Sequence, residues 1–599
     1  MEIKLLPIRK TFTIVVFVTL FNFCFGNSVK SQGISLLTNQ SVANIENADT
    51  ISVEPSYLIM YPSGISSLQA TTGQSNEGTI QWFSTNNDII SVAENGQVTA
   101  ISAGSASIIA KSNGDSAICN VVVLRESDQV PDESMEFPPR DTTIFVNNTS
   151  EFLAAVMKAN EAGNVEIVLA PGIYEYDEKY VDWMVWGLGI FQDHVTVRSE
   201  TGNRDDVIIK GKGMNGNILS IFAVAASDFI VADVTLGWVT THAVQVKGEE
   251  DADNFIAHNV RFVDTYEQMV KGTYNSGATT TSDSGLIEYC LFEYSAKIGP
   301  QWYIGGIDCH NTRDWRVKAN RFRDIISPED ALAEHAIHFW SDAQNTIAER
   351  NIITNCDRGI GFGLGDRGHT GGKIINNMVH TTRDVGIGVE NANGVEIYNN
   401  TVVSENYPFS IEYRFEGTDA VIKNNLCNAS IELRDDATGE LSSNLQDVST
   451  EAFVDATNGD LHLNNNFADR NLIVDAGETI EQITTDIDND TRPTGAAFDI
   501  GADEVALATD VSLIESGSDP IIKVYPNPIT KGNLNIEFGK AGGPTEIAIY
   551  SSTGKLVYQT TTTGEKTVLH RSQLKKGIYL LSVRSGEKVK HTKLIVLGN

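Results

Sequence analysis

A chain of 599 residues and 65.2 kDa with 41% hydrophobic residues holds several cores and is too apolar to be disordered. Its 44 Lys and Arg against 78 Asp and Glu leave a net charge of −34, a field that repels phosphate backbones and excludes nucleic acid as a partner. A polyanionic ligand on such a chain needs a local basic cluster, and that cluster is what the sequence must be searched for.

The chain opens with Lys4, Arg9 and Lys10, then a nearly unbroken apolar run from Thr11 to Phe25, then Gly26-Asn27-Ser28. Residues 1–26 read as a secretory signal peptide, too short in its apolar part to span a membrane, and nothing later reads as a transmembrane segment. Residues 27–50 read as a flexible segment. The five later cysteines show no CxxC or Cys/His spacing and read as buried apolar fillers. Short alternating strands with turn signals fill residues 51–124: Ile80–Ser84, Ile90–Ala93, Gly96–Ala100 and Gly104–Ile108. Their order resembles the bacterial Ig-like domains of group two, which implies a small β-sandwich that spaces or binds.

Residues 125–140, with Pro131, Pro138 and Pro139 among acids, read as a linker, so that the part beyond Arg140 is expected to fold without what precedes it. Residues 141–505 have a different character. Ser150 is placed to cap a helix running to Ala162, with Phe152, Leu153, Val156 and Ala159 on one face. Then short strands recur on a step at Asn259, Cys290, Asn320, Asn351, Asn377, Asn400 and Asn425, at spacings of 31, 30, 31, 26, 23 and 25 residues. That period without long helices predicts a β-solenoid whose coils bury their apolar faces by stacking, with the repeated Asn stacked on one another. Gly359–Gly363, Gly386–Val389, Ile397–Val402 and Asp499–Glu504 give the region a resemblance to the right-handed parallel β-helix proteins of the pectin-lyase-like superfamily. The resemblance speaks for fold rather than reaction.

Residues 506–520 read as a second linker. Residues 521–599 hold Val524-Tyr525-Pro526-Asn527-Pro528, Ile547–Tyr550, Gly554–Val557, Leu574–Tyr579 and Lys593–Val596. They resemble the C-terminal sorting domain of the type IX secretion route. This implies the type IX machinery as a partner, a bacterium of the Bacteroidota kind, and a place on the cell surface or in the medium. The fold class expected for the whole is all-β: a right-handed parallel β-helix between an Ig-like β-sandwich and a β-sandwich sorting domain.

Side chains alternate in and out along a strand, and coils stack about 4.8 Å apart, so outward residues form columns. Aligned on inward Val244, Ile307, Ile337, Ile360, Ile387 and Ile411, the first outward column reads Gln245, Asp308, His338, Gly361, Gly388 and Glu412. The second reads Lys247, His310, Trp340, Gly363, Glu390 and Arg414, with Lys271 outward on the coil between Gln245 and Asp308. Four nitrogen bases, Lys247, Lys271, His310 and His338, thus share one face of an acidic chain. Glycines leave a floor beside them, and Trp302, Tyr303 and Trp340 lie where sugar rings could stack.

A glycoside hydrolase needs two carboxyls about 5–9.5 Å apart, whereas Asp308 and Glu412 are four coils, about 19 Å, apart. Uronate β-elimination needs a cation on the substrate carboxylate, a base for the C5 proton and an acid for the C4 oxygen. His338 and His310 fit as that base and acid, with Lys271 as the alternative base. Arg414 fits as the carboxylate partner, and Lys247, Trp340, Glu412, Trp302 and Tyr303 as further substrate contacts. The expectation is therefore a secreted lyase or oligosaccharide dehydratase acting on an acidic polysaccharide or oligosaccharide. A hydrolase on the same scaffold, or a glycan-binding β-helix without activity, are the alternatives. Ca2+ is the cofactor open to it, with Asp308 and Glu390 as candidate ligands.

Overall fold

The computed structural model describes residues 51–72, 78–125, 135–176, 187–275, 277–505 and most of 523–596. The expected signal peptide, the 27–50 segment and the 506–520 linker lie outside the described residues, as does most of the 125–140 linker.

Within residues 141–505, the strands from Thr142–Val146 to Thr438–Ser442 wind into a parallel β-helix of three sheets. The second and third sheets each stack ten strands, the third running from Leu188–Ile190 to Ser430–Arg434. The repeated step explains the winding. In the structure the first step falls at Val260, one residue after the expected Asn259, and the others at Cys290 and Asn320 to Asn425 as expected. The residue before each step takes a left-handed conformation, at Asn259, Tyr289, Ala319, Arg350, Asn376, Asn399 and Asn424, which turns the chain from the first sheet to the second. The step residue then closes a ladder. The Asn351 side-chain amide donates to Val317 O at 2.9 Å and to Asn377 Oδ1 at 3.0 Å. Asn320, Asn377, Asn400 and Asn425 repeat the pattern, so buried amides are satisfied coil to coil. Inside, Phe262, Phe292 and Phe322 stack at centroid distances of 4.6 and 4.5 Å.

A helix, Thr149–Ala162, packs Phe152, Val156 and Ala159 into the first coils. Its cap is Asn148, whose side chain accepts from the Glu151 N–H, two residues before the expected Ser150.

Residues 51–124 form a β-sandwich, with sheets of four and three strands closed over Ile90, Val98, Ile108 and Val121. This sandwich docks on the outer face of the second sheet. Val122 and Leu124 bury Ile208, Trp238 and Val263, the Tyr57 ring meets Trp238 edge-on at 6.3 Å, and Arg261 donates to the Arg125 carbonyl at 3.1 Å. Residues 450–502 cover the same sheet further along through Ile473, Ile487 and Ile500 on Met378, Val403 and Leu426. Neither cluster includes a residue of the third sheet.

The docking changes what a shortened chain should do. A chain beginning at Arg140 re-exposes Ile208, Trp238 and Val263, each worth about 1.5–3 kcal/mol when buried. It is expected to unfold at lower temperature than the full chain, with red-shifted tryptophan fluorescence. An unchanged midpoint would show that the linker reading of 125–140 holds in spite of the contact.

In the segment beyond the last coil, His462 lies between Asp460, at 2.5 Å, and Asp488, at 3.0 Å. The bond to Asp488 first, and that to Asp460 against the pull of burial, raise its pKa to about 9. An unfolded His titrates near 6.5, so this stabilisation is complete below about pH 6.5 and fades as pH rises to about 9. Hydrogen exchange in residues 450–505 should accelerate over that window beyond its intrinsic pH dependence, and His462→Gln should abolish the excess.

Residues 523–596 form a second, separate unit. Sheets of three and four strands enclose Ile536, Ile549, Leu581 and Leu594.

Candidate functional site

The third sheet carries the columns expected from sequence. Its register pairs Gln245 with Lys271, Lys271 with Asp308, Asp308 with His338, His338 with Gly361, Gly361 with Gly388, and Gly388 with Glu412. His310 pairs with Trp340, and Glu390 with Arg414.

Asp308 is the hub. It is 2% exposed. Lys271 Nζ donates to its Oδ2 and Trp340 Nε1 to its Oδ1 at 2.6 Å. His310 Nε2 and His338 Nδ1 each stand 3.7 Å from it. Burial would raise the Asp308 pKa, but the Lys271 charge, helped by His310 and His338, holds it well below the carboxylate range. Burial likewise pulls Lys271 down, and the Asp308 charge, with Tyr303, outweighs it, so the ammonium lies above its ordinary value. Lys271 is therefore a fixed cation, and the alternative role of base does not suit it.

Lys271 Nζ also lies 3.1 Å from His310 Nε2 and 5.9 Å from the Tyr303 ring centroid. With the ammonium donating, Nε2 accepts and the imidazole proton sits on Nδ1. His310 and Tyr303 are half-buried and Trp302 is exposed, so these three meet solvent around a buried ion pair. Lys247 is half-buried two coils away from His310.

Other expected residues are placed differently. His338 is 1% exposed. Its Nε2 faces Gly363 O at 3.2 Å and its ring stacks on Trp340 at 5.3 Å, which removes it from direct reach of a substrate. Trp340 is no open platform, because His338 covers it and the Arg367 guanidinium sits 4.0 Å from its ring centroid. Gly361 leaves no open floor: a Cβ there would lie 2.8 Å from the His335 ring, which fills that space. Arg414 is held by Asp435, Glu412 and Glu390 at 2.8, 3.5 and 3.6 Å. It also lies four coils from His310, about 19 Å, too far to share one sugar ring with it. Glu412 is buried against Tyr407 and Arg434. Of the two candidate calcium ligands, Asp308 has its oxygens on Lys271 and Trp340. Glu390 accepts from Gly365 N and faces Arg414.

Sequence reading missed Arg367, Glu334 and His335. Arg367 is exposed and has no ion pair among the described residues. It comes from a turn after the strand Arg358–Phe362, where no column predicts it. Glu334 stands just before the strand His335–Trp340 and His335 opens it, and all six strand residues are buried, so burial there follows no alternation.

The family models divide the chain as its folds do. Residues 47–121 match the bacterial Ig-like domain (group 2), residues 297–488 the periplasmic copper-binding protein (NosD) model, and residues 523–597 the secretion system C-terminal sorting domain. The chain is an Ig-like domain, a parallel β-helix and a sorting domain in series. The sorting domain indicates export by the type IX route to the cell surface or beyond. Among the described residues no helix is long and apolar enough to cross a membrane. Among solved structures, the chain is similar to pectate lyase Pel9A, at 15% identity over 61% of this chain and 96% of that one, TM-score 0.40. It is also similar to the mannuronan C-5 epimerase AlgE6 A-module of Azotobacter vinelandii, at 11% over 50% and 96%, TM-score 0.31. An alginate lyase from Paenibacillus sp. gives 12% over 50% and 99%, TM-score 0.30. At such identities and superpositions none of the three speaks for the reaction of this chain. No curated protein sequence matches it.

Proposed function

We propose that the β-helix is a secreted carbon–oxygen lyase that carries out β-elimination on uronate-containing glycans at the third-sheet face. The observation that carries this reading is the Lys271–Asp308 ion pair with His310 resting on the ammonium. A buried carboxylate keeps a lysine charged on the third-sheet face of an otherwise acidic chain, with 8% of the lysine exposed. Together with Arg367 it makes the local basic cluster that an acidic sugar requires.

In this mechanism Lys271 and Arg367 take the uronate carboxylate, which acidifies the C5 proton. The carboxylate draws the ammonium off His310 and frees the Nε2 lone pair. His310 then accepts the C5 proton, the C–H electrons form the C4–C5 double bond, and the C4–O bond breaks. The Tyr303 hydroxyl protonates the leaving oxygen, and the proton held by His310 returns to Tyr303 through solvent. A sugar leaving group makes this a lyase, and water from a terminal uronate makes it a dehydratase.

The test is incubation of the full chain with a panel of uronate polysaccharides and oligosaccharides, read by ultraviolet absorbance of the unsaturated uronate and by product mass. Saturated products carrying added water would replace this reading with hydrolysis. Binding without any product would replace it with glycan recognition.

A further inference from the structure

Behind the ion pair lies a group that the elimination does not use. We propose that Glu334, His335 and His338 bind a borderline divalent metal ion of the Zn2+ type. One ligand atom from each lies within 4.8 Å of the others. A tetrahedral shell with bonds of about 2.0–2.1 Å sets its ligand atoms about 3.4 Å apart. The Glu334–His338 pair already stands at 3.9 Å, so rotation of side chains closes the site. Two imidazoles and one carboxylate suit Zn2+ or Co2+ rather than Ca2+, which takes oxygen ligands.

The second observation is in the histidines themselves. Nδ1 of His335 and Nδ1 of His338 are buried without a hydrogen-bond partner, and the two residues are 7% and 1% exposed. His338 donates Nε2–H to the Gly363 carbonyl at 3.2 Å, the backbone support that orients metal-binding imidazoles. That tautomer aims the Nδ1 lone pair at Asp308 Oδ1, 3.7 Å away, and Glu334 Oε2, 3.9 Å away. Asp308 Oδ1 is satisfied by the Trp340 indole, but the His338 Nδ1 lone pair and Glu334 Oε2 face one another without a hydrogen bond between them, an arrangement a cation resolves. Gly361 has no side chain, and this gives the His335 ring its seat 4.6 Å from that of His338. Arg358 stands 3.9 Å from Glu334 and pairs with Asp384 at 2.9 Å, while Lys271 offsets Asp308, so the net anionic charge for an ion comes from Glu334. The Glu334 side chain is 17% exposed and gives the ion a way in.

The experiment uses the full chain without an affinity tag, stripped by chelation and desalted, then titrated with Co2+ and Zn2+ by calorimetry and visible absorption. One ion per chain is expected, with a nitrogen-ligated Co2+ band that Zn2+ displaces. Glu334→Gln and His335→Ala should lose that binding with unchanged circular dichroism. His462→Gln, which removes the imidazole between Asp460 and Asp488, should keep it. Failure of the full chain to bind either ion overturns the proposal, and so does one-to-one binding that survives in Glu334→Gln. That isosteric variant decides alone if His335→Ala does not fold. None of these readouts depends on turnover, so this site stands or falls apart from the elimination.

Discussion

Replacing His310 with alanine is expected to lower turnover on a uronate glycan by about 10²–10⁴-fold, the usual cost of losing a proton-transfer group. His310 is half-buried at the surface of the third sheet, and its polar contacts among the described residues run to Lys271 and Asp308. Folding should therefore be spared, which circular dichroism and the unfolding midpoint check. The loss should fall on kcat more than on KM, since the carboxylate is held by Lys271 and Arg367. Near-normal turnover in His310→Ala would move the base to Tyr303.

Lys271→Met should act on stability as well as activity. Removing the ammonium leaves the Asp308 carboxylate at 2% exposure with Trp340 as its remaining close donor. Breaking a buried pair from one side costs about 3–5 kcal/mol. Urea unfolding of the full chain should show that loss in the β-helix transition, and the double variant Lys271→Met/Asp308→Leu should recover part of it, because both charges leave together. A single variant within about 0.5 kcal/mol of the parent would mean that the pair is solvated. Neither variant should turn over substrate at a rate above that of His310→Ala.

The sequence carried the winding of the β-helix because the signal is periodic. A left-handed residue before the step recurs once per coil, with a ladder Asn at the step from Asn320 to Asn425, and inward aliphatics such as Ile307, Ile337 and Ile360 fix which neighbours point outward. The columns were therefore readable, including Lys271 between Gln245 and Asp308. What a column cannot show is how side chains lean between coils. Asp308 read as a surface carboxylate open to calcium, yet Lys271 from the coil before and Trp340 from the coil after close over it. His338 read as reachable for the same reason, while Gly363 and Trp340 hold it from two sides. Arg367 arrives from a turn with no repeat, and His335 occupies space that glycine spacing alone presents as vacant. The docking was out of sight for another reason: Pro and acid composition describes the chain between two domains, not the apolar surface on which one of them rests.

That docked sandwich has a mechanical consequence. The hydrogen bonds between coils run along the solenoid axis, so tension between the two ends loads them in series and favours peeling one coil at a time. The Ig-like domain and the residue that follows it touch Ile208, Trp238, Val263, Ser295 and Asp324, positions on or beside strands of five successive coils of the second sheet. It spans those coils as a splint spans a fracture. For a protein worked on by surface shear, the coils from Ile208 to Asp324 part only when the splint lets go, and the segment over Met378, Val403 and Leu426 braces the later coils in the same way.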